Sequence, residues 1–161
     1  MRISILLIAL FLASFKSISQ KKDSTRSAKV LYGEVLSVSG PVVFTANFDI
    51  RFKQEKGLGA HAGFGLLGSG GAGSILIIPL GLNYLAGKAP HYIEGGLGTT
   101  ILTIASNQYF SGEAIAVLVP SAGYRYQPLA NGISFRIFVS PWVVLQGGVI
   151  FAGGLSLGYK F

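Results

Sequence analysis

No cysteine occurs among the 161 residues, and only 12% of them carry a charge. The first absence excludes a disulfide framework, thiol chemistry and a lipid anchor carried on cysteine. The second leaves about half the charged fraction of an ordinary soluble domain. Half of the residues are hydrophobic, so so little charge calls for apolar surroundings outside the fold, inside it, or both. Long runs suited to a spanning helix are also scarce. The segment from Trp142 to Tyr159 is long enough, but it holds five glycines and Gln146, and Pro79 and Pro120 interrupt the other apolar stretches. Each glycine inside a helix costs about 1 kcal/mol relative to alanine, and the chain has 23. A closed strand ladder tolerates them better, because tight packing needs small residues.

Recognisable ligand motifs are missing too. The glycine-rich stretch Gly68–Gly73 is not followed by a Gly-Lys-Ser/Thr sequence, so it is not a phosphate loop. No paired histidines and no Asp/Asn-rich loop offer a metal site. No cofactor is expected. The formal charge is +7, with Lys21, Lys22, Arg26 and Lys29 crowded into one short polar stretch. Nucleic-acid binding would want basic residues interleaved with aromatics on one face, and that pattern is absent.

What is present begins with an address. Arg2 and the apolar run Ile3–Phe15 precede the small residues Ser17 and Ser19. This is a secretory signal peptide over residues 1–19, cleaved near Ser19/Gln20, and too short to anchor in a bilayer. Residues 20–29 form a polar leader, and residues 30–161 form a single domain.

That domain divides into eight apolar segments, roughly Val30–Val38, Val42–Lys53, Leu58–Leu67, Ser74–Leu85, His91–Ile104, Glu113–Gln127, Ile133–Ser140 and Val149–Phe161. Each has about the length of a tilted membrane strand. In the second, Phe44, Ala46, Phe48, Ile50 and Phe52 alternate with Thr45, Asn47, Asp49, Arg51 and Lys53. Period two with charge on one face only is a strand signature that no helix presents. The seventh segment repeats it, broken by Phe138. The spacers alternate: Gln54–Gly57, Ala86–Pro90 and Pro128–Gly132 make one set; Ser39–Gly40, Gly68–Gly73, Ala105–Gly112 and Pro141–Gly148 make the other. The expected fold is all-β, an eight-stranded antiparallel up-and-down transmembrane β-barrel.

Two girdles of aromatic rings are expected at its rims. Tyr32, Phe52, Tyr84, Tyr92, Tyr124, Tyr126, Tyr159 and Phe161 would form one at the periplasmic end. Phe44, Tyr109, Phe110, Trp142 and Phe151 would form a sparser one opposite. The chain closes on Leu155, Leu157, Tyr159 and Phe161 at alternate positions. A terminal aromatic on such a strand resembles the signal read by the outer-membrane barrel assembly machinery.

The segments YGEVL, IPLGLNYLAGKAPHYIEGGLG, GYRYQPLANGISFRIFVSPW and LSLGYKF resemble small outer-membrane β-barrel proteins of Bacteroidota, over nearly the whole domain. Strand number and size are similar to OmpA- and OmpX-type barrels. The resemblance implies residence in outer-membrane lipid and no assigned activity.

On the polar face stand Glu34, Asp49, Arg51, Glu94, Arg125, Arg136 and Lys160. An eight-stranded barrel has an interior just wide enough for side chains to fill, and unpaired charge there costs several kcal/mol per ion. The favoured reading is therefore a mutually satisfied ionic filling, with a structural or surface-interaction role. A narrow channel for small ions or solutes is the alternative. A lipid A-modifying enzyme is the remote third, for which His61 and His91 are the available bases. No spacing joins either of them to a serine and an acid, so no catalytic residue is assigned.

Overall fold

The computed structural model describes residues 27–69, 73–105, 110–144 and 147–161. The expected signal peptide and cleavage point, most of the expected leader, and Tyr109 lie outside the described residues, as does the side chain of Phe110. Eight strands follow one another: β1 Lys29–Val38, β2 Val42–Arg51, β3 Gly57–Ser69, β4 Gly73–Lys88, β5 His91–Ala105, β6 Phe110–Tyr126, β7 Gly132–Val144 and β8 Val149–Lys160. Each is antiparallel to the next, and β8 returns to pair with β1, so the sheet closes into a barrel. Closure pairs the backbone groups that an open sheet would leave at its edges, which is what a strand structure in lipid requires. The seam reaches the end of the chain, where Phe161 N donates to the Lys29 carbonyl at 3.0 Å.

The residues are distributed inside out. Phe64 (65% exposed), Ile93 (72%) and Phe151 (72%) stand on the outer surface, with Leu31, Phe44, Leu82, Leu97, Ile133 and Leu157 also exposed. Asp49, Arg51, Glu94 and Arg125 are buried in the lumen at 0–2%. Monomeric soluble proteins rarely expose more than a few hundred Å² of contiguous apolar surface. Here the apolar residues run around the whole perimeter, a surface that lipid solvates and water does not.

Several strands run further than the sequence suggests. β4 continues to Lys88, leaving only Ala89 and Pro90 in the turn before β5. β7 continues to Val144, so Pro141 and Trp142, expected in a loop, belong to the strand. A proline inside a ladder removes one donor, and the pairing records it. The β6–β7 ladder skips from Leu118↔Val143 to Ala122↔Val139, the interval in which Pro120 stands opposite Pro141. Ser140 Oγ donates to the Pro120 carbonyl at 2.8 Å and so supplies a bond the backbone cannot make. A second interval, in β3–β4 between Ala62↔Leu80 and Gly65↔Ile77, contains Pro79.

The aromatic girdles need correction. Phe52, Tyr84, Tyr124, Tyr126 and Phe161 are exposed at the end of the barrel that carries both described termini. Tyr32 and Tyr92, placed in the same ring by their position along the strands, are buried in the lumen. Trp142, assigned to the opposite ring, also points inward. Nearness to a strand end fixes depth; facing depends on parity, and both tyrosines have lumen parity, with Val30 and Glu34 flanking Tyr32.

Candidate functional site

The lumen has three strata. Nearest the termini, Lys160 is buried and binds the Glu55 carboxylate and the carbonyls of Pro128 and Leu129, the latter two at 2.8 and 2.7 Å. One cation from β8 thereby ties the β2–β3 and β6–β7 turns together across the barrel floor. Glu55, a turn residue, has no alternation to announce it in the sequence.

Above it lies an ionic network. Asp49 and Arg51 both point inward from β2 because they stand two positions apart in a strand. Arg51 grips Asp49 through Nε and Nη2, at 3.0 Å and 2.7 Å. Arg125 from β6 does the same for Glu94 of β5, with Nε and Nη2 each 2.9 Å from a carboxylate oxygen, and it also reaches Asp49 at 3.2 Å. Arg136 of β7 bridges Glu34 of β1 and Glu94, both at 3.1 Å. Its guanidinium lies 4.2 Å from the centre of the Phe138 ring, which explains an aromatic on the polar face: it packs on the cation. Asn83 of β4 joins the halves, donating to Asp49 at 2.7 Å and Glu94 at 2.9 Å while its carbonyl oxygen accepts from Arg51.

Six of the seven polar residues picked out in the sequence therefore meet in one cluster: Glu34, Asp49, Arg51, Glu94, Arg125 and Arg136. Lys160 stands apart from it. Three carboxylates balance three guanidiniums within the network, and Lys160 has its own acid in Glu55. The sequence reasoning missed Glu55 and Asn83. A neutral amide carries no charge signal, although the parity of Asn83 on β4 places it inward. β3 contributes room: a Cβ on Gly59 would overlap the Arg51 guanidinium and push that side chain out of its present place in the network.

The stratum farthest from the termini is different. Leu36, Val43, Ile77, Val117, Phe138, Trp142 and Ala152 form a buried apolar cluster inside the barrel. The expectation of a uniformly polar, filled interior holds for the half near the termini only. Between the two lies a cavity of about 50 Å³ bordered by Thr45, Asn47, His61, Thr100, Arg136 and Trp142. It has room for a water or two.

The histidines are separated. His61 faces the lumen with Nδ1 buried and unpartnered. His91 is on the exposed rim, its Nδ1 2.6 Å from the Tyr124 hydroxyl and its ring edge-on to Tyr126. Neither is hydrogen-bonded to a serine or a carboxylate among the described residues. No group of three potential metal ligands occurs among them either.

No protein-family model matches the chain, and no curated protein does. Solved structures do. The N-terminal β-barrel domain of Pseudomonas aeruginosa OprF is similar with a TM-score of 0.65 at 12% identity, over 85% of this chain and 99% of that one. Neisserial surface protein A gives 0.54 at 14% identity, over 83% and 94%. The Yersinia pestis outer membrane protein Ail in a phospholipid bilayer nanodisc gives 0.55 at 13% identity, over 84% and 99%. The chain has the fold of the eight-stranded outer-membrane barrels. At such identities the likeness is one of fold alone, and it lends no support to the resemblance with Bacteroidota barrels.

Proposed function

We propose that the protein is an outer-membrane barrel with a structural or surface-contact role, its lumen stopped by the ionic network rather than open to flow. The observation that carries this reading is the combination of a lipid-suited perimeter with a charge-balanced, buried filling. A conducting path would leave charged groups facing water; here Asp49, Arg51, Glu94 and Arg125 face one another. The similarity to OprF, neisserial surface protein A and Ail supports the outer membrane as the compartment, reached by way of the signal peptide at residues 1–19. The resemblance to Bacteroidota barrels remains a proposal resting on the four sequence segments.

The test is conductance. Purified protein inserted into planar bilayers is expected to show no resolved single-channel openings at 1 M KCl. Regular openings in the unaltered protein would replace this reading with that of a narrow channel. Activity on lipid A that disappears on replacing His61 or His91 would move the reading to an enzyme.

We also propose that the final strand presents the assembly signal to the barrel assembly machinery. Leu155, Leu157 and Phe161 are exposed on the lipid-facing side, and Tyr159 shares their parity. Phe161→Ala is expected to lower the yield of folded barrel in outer membranes severalfold while leaving spontaneous refolding into vesicles nearly unchanged. Equal loss in both assays would assign Phe161 a purely structural role.

A further inference from the structure

The apolar stratum encloses a second cavity of about 260 Å³, and every residue that lines it is apolar. Val43, Ile77, Val117 and Trp142 form its buried walls. Ile115 and Ile150 form its mouth, at the end of the barrel away from the termini, and are 51% and 38% exposed although their parity turns them inward. A lumen-facing isoleucine that remains exposed marks space that side chains do not fill. Barrel interiors of this class are ordinarily polar, filled by side chains or by water. An apolar chamber suits neither water nor ions, and empty space leaves its walls without dispersion partners. The ionic network and the small polar cavity close it below, so it has a floor.

We propose that this chamber binds an unbranched alkyl chain. A dry apolar cavity of about 150 Å³ accepts benzene, so on the same scale the chamber takes roughly ten carbons. The chain lies tail-down against Trp142, and its polar end stays hydrated at the mouth. The apolar walls give a carboxylate or phosphate no hydrogen-bond partner, which fixes that polarity. Two sources can supply such a chain. A dissolved amphiphile enters through the mouth between Ile115 and Ile150. A bilayer lipid enters sideways, through the interval where Pro120 faces Pro141 and the backbone ladder is interrupted beside Trp142.

Trp142 is the single tryptophan of the chain, so its fluorescence reports occupancy directly. In the first arm, the protein refolded into phosphatidylcholine vesicles is titrated with 11-bromoundecanoic acid. In the second, it is refolded into vesicles of increasing content of phosphatidylcholine brominated on its acyl chains. Saturable quenching in the first arm alone identifies the mouth; saturable quenching in the second identifies the seam. Val117→Phe on β6 and Ile77→Phe on β4 fill the chamber from two different strands, so one serves if the other misfolds. Either is expected to raise the half-quenching concentration at least tenfold. Quenching that grows linearly with bromine, equally in the unaltered and filled proteins, would overturn the proposal.

Discussion

Replacing Arg125 by methionine is expected to lower the unfolding free energy by about 3–5 kcal/mol, the range for removing one partner of a buried ionic pair. Arg125 makes contacts with both Asp49 and Glu94, and it is 2% exposed. Methionine retains much of the hydrophobic stem and removes the charge, leaving two buried carboxylates close together without their shared cation. Asn83 remains as a donor to each, and Arg51 and Arg136 still pair with them, but the count becomes three acids against two bases. Removing the excess negative charge tests the cause. The double variant Glu94→Gln with Arg125→Met is expected to be more stable than Arg125→Met alone, although it has lost more contacts. Urea titration in lipid vesicles, followed by Trp142 fluorescence, measures both. A single variant within 1 kcal/mol of the unaltered protein would mean that the network is not what holds the lumen shut.

Leu97→Arg should cost about 2–4 kcal/mol in the same assay, as charged substitutions do at the bilayer midplane of a membrane barrel. Leu97 lies near the middle of β5, is exposed on the outer face and is flanked by Leu82 on β4 and Pro120 on β6. Phe52→Arg, at the rim, is the control: there the guanidinium reaches the headgroups and the cost falls to about 0–1 kcal/mol. Both positions are about half exposed, so a water-soluble barrel would accept arginine at either. The difference between them reports the depth of each in lipid. Equal, small effects at both sites would contradict a lipid-facing band.

The contrast between strands that are readable in sequence and those that are not has a physical origin. β2 alternates phenylalanine with charge because one face meets lipid and the other meets the ionic network; the facing of its residues is therefore legible in the sequence, as are the six network residues. Farther along the barrel, both faces are apolar. Leu36 points inward and Val35 outward; Val43 inward and Val42 outward; Val117 inward and Leu118 outward. Where lumen and lipid demand the same kind of side chain, alternation vanishes, and with it any sequence signal for the chamber. Trp142 has a different cause: an amphipathic ring near a strand end suits a girdle, and the inward parity it shares with Ser140 applies only because β7 continues through Pro141, where the sequence suggests a loop. Asn83 and Glu55 escaped notice on other grounds. The first is neutral. The second lies in a turn, where its partner Lys160 is distant in sequence and brought near only by barrel closure.

A closed barrel seated in the outer membrane is tested by fractionating cells that produce the full chain and running the outer-membrane extract on a denaturing gel, boiled and unboiled, with circular dichroism of the purified protein. The expected result is recovery in the outer-membrane fraction, faster migration before boiling than after, and a β-type spectrum. Recovery in a soluble fraction, unchanged mobility on boiling or a helical spectrum would contradict the account.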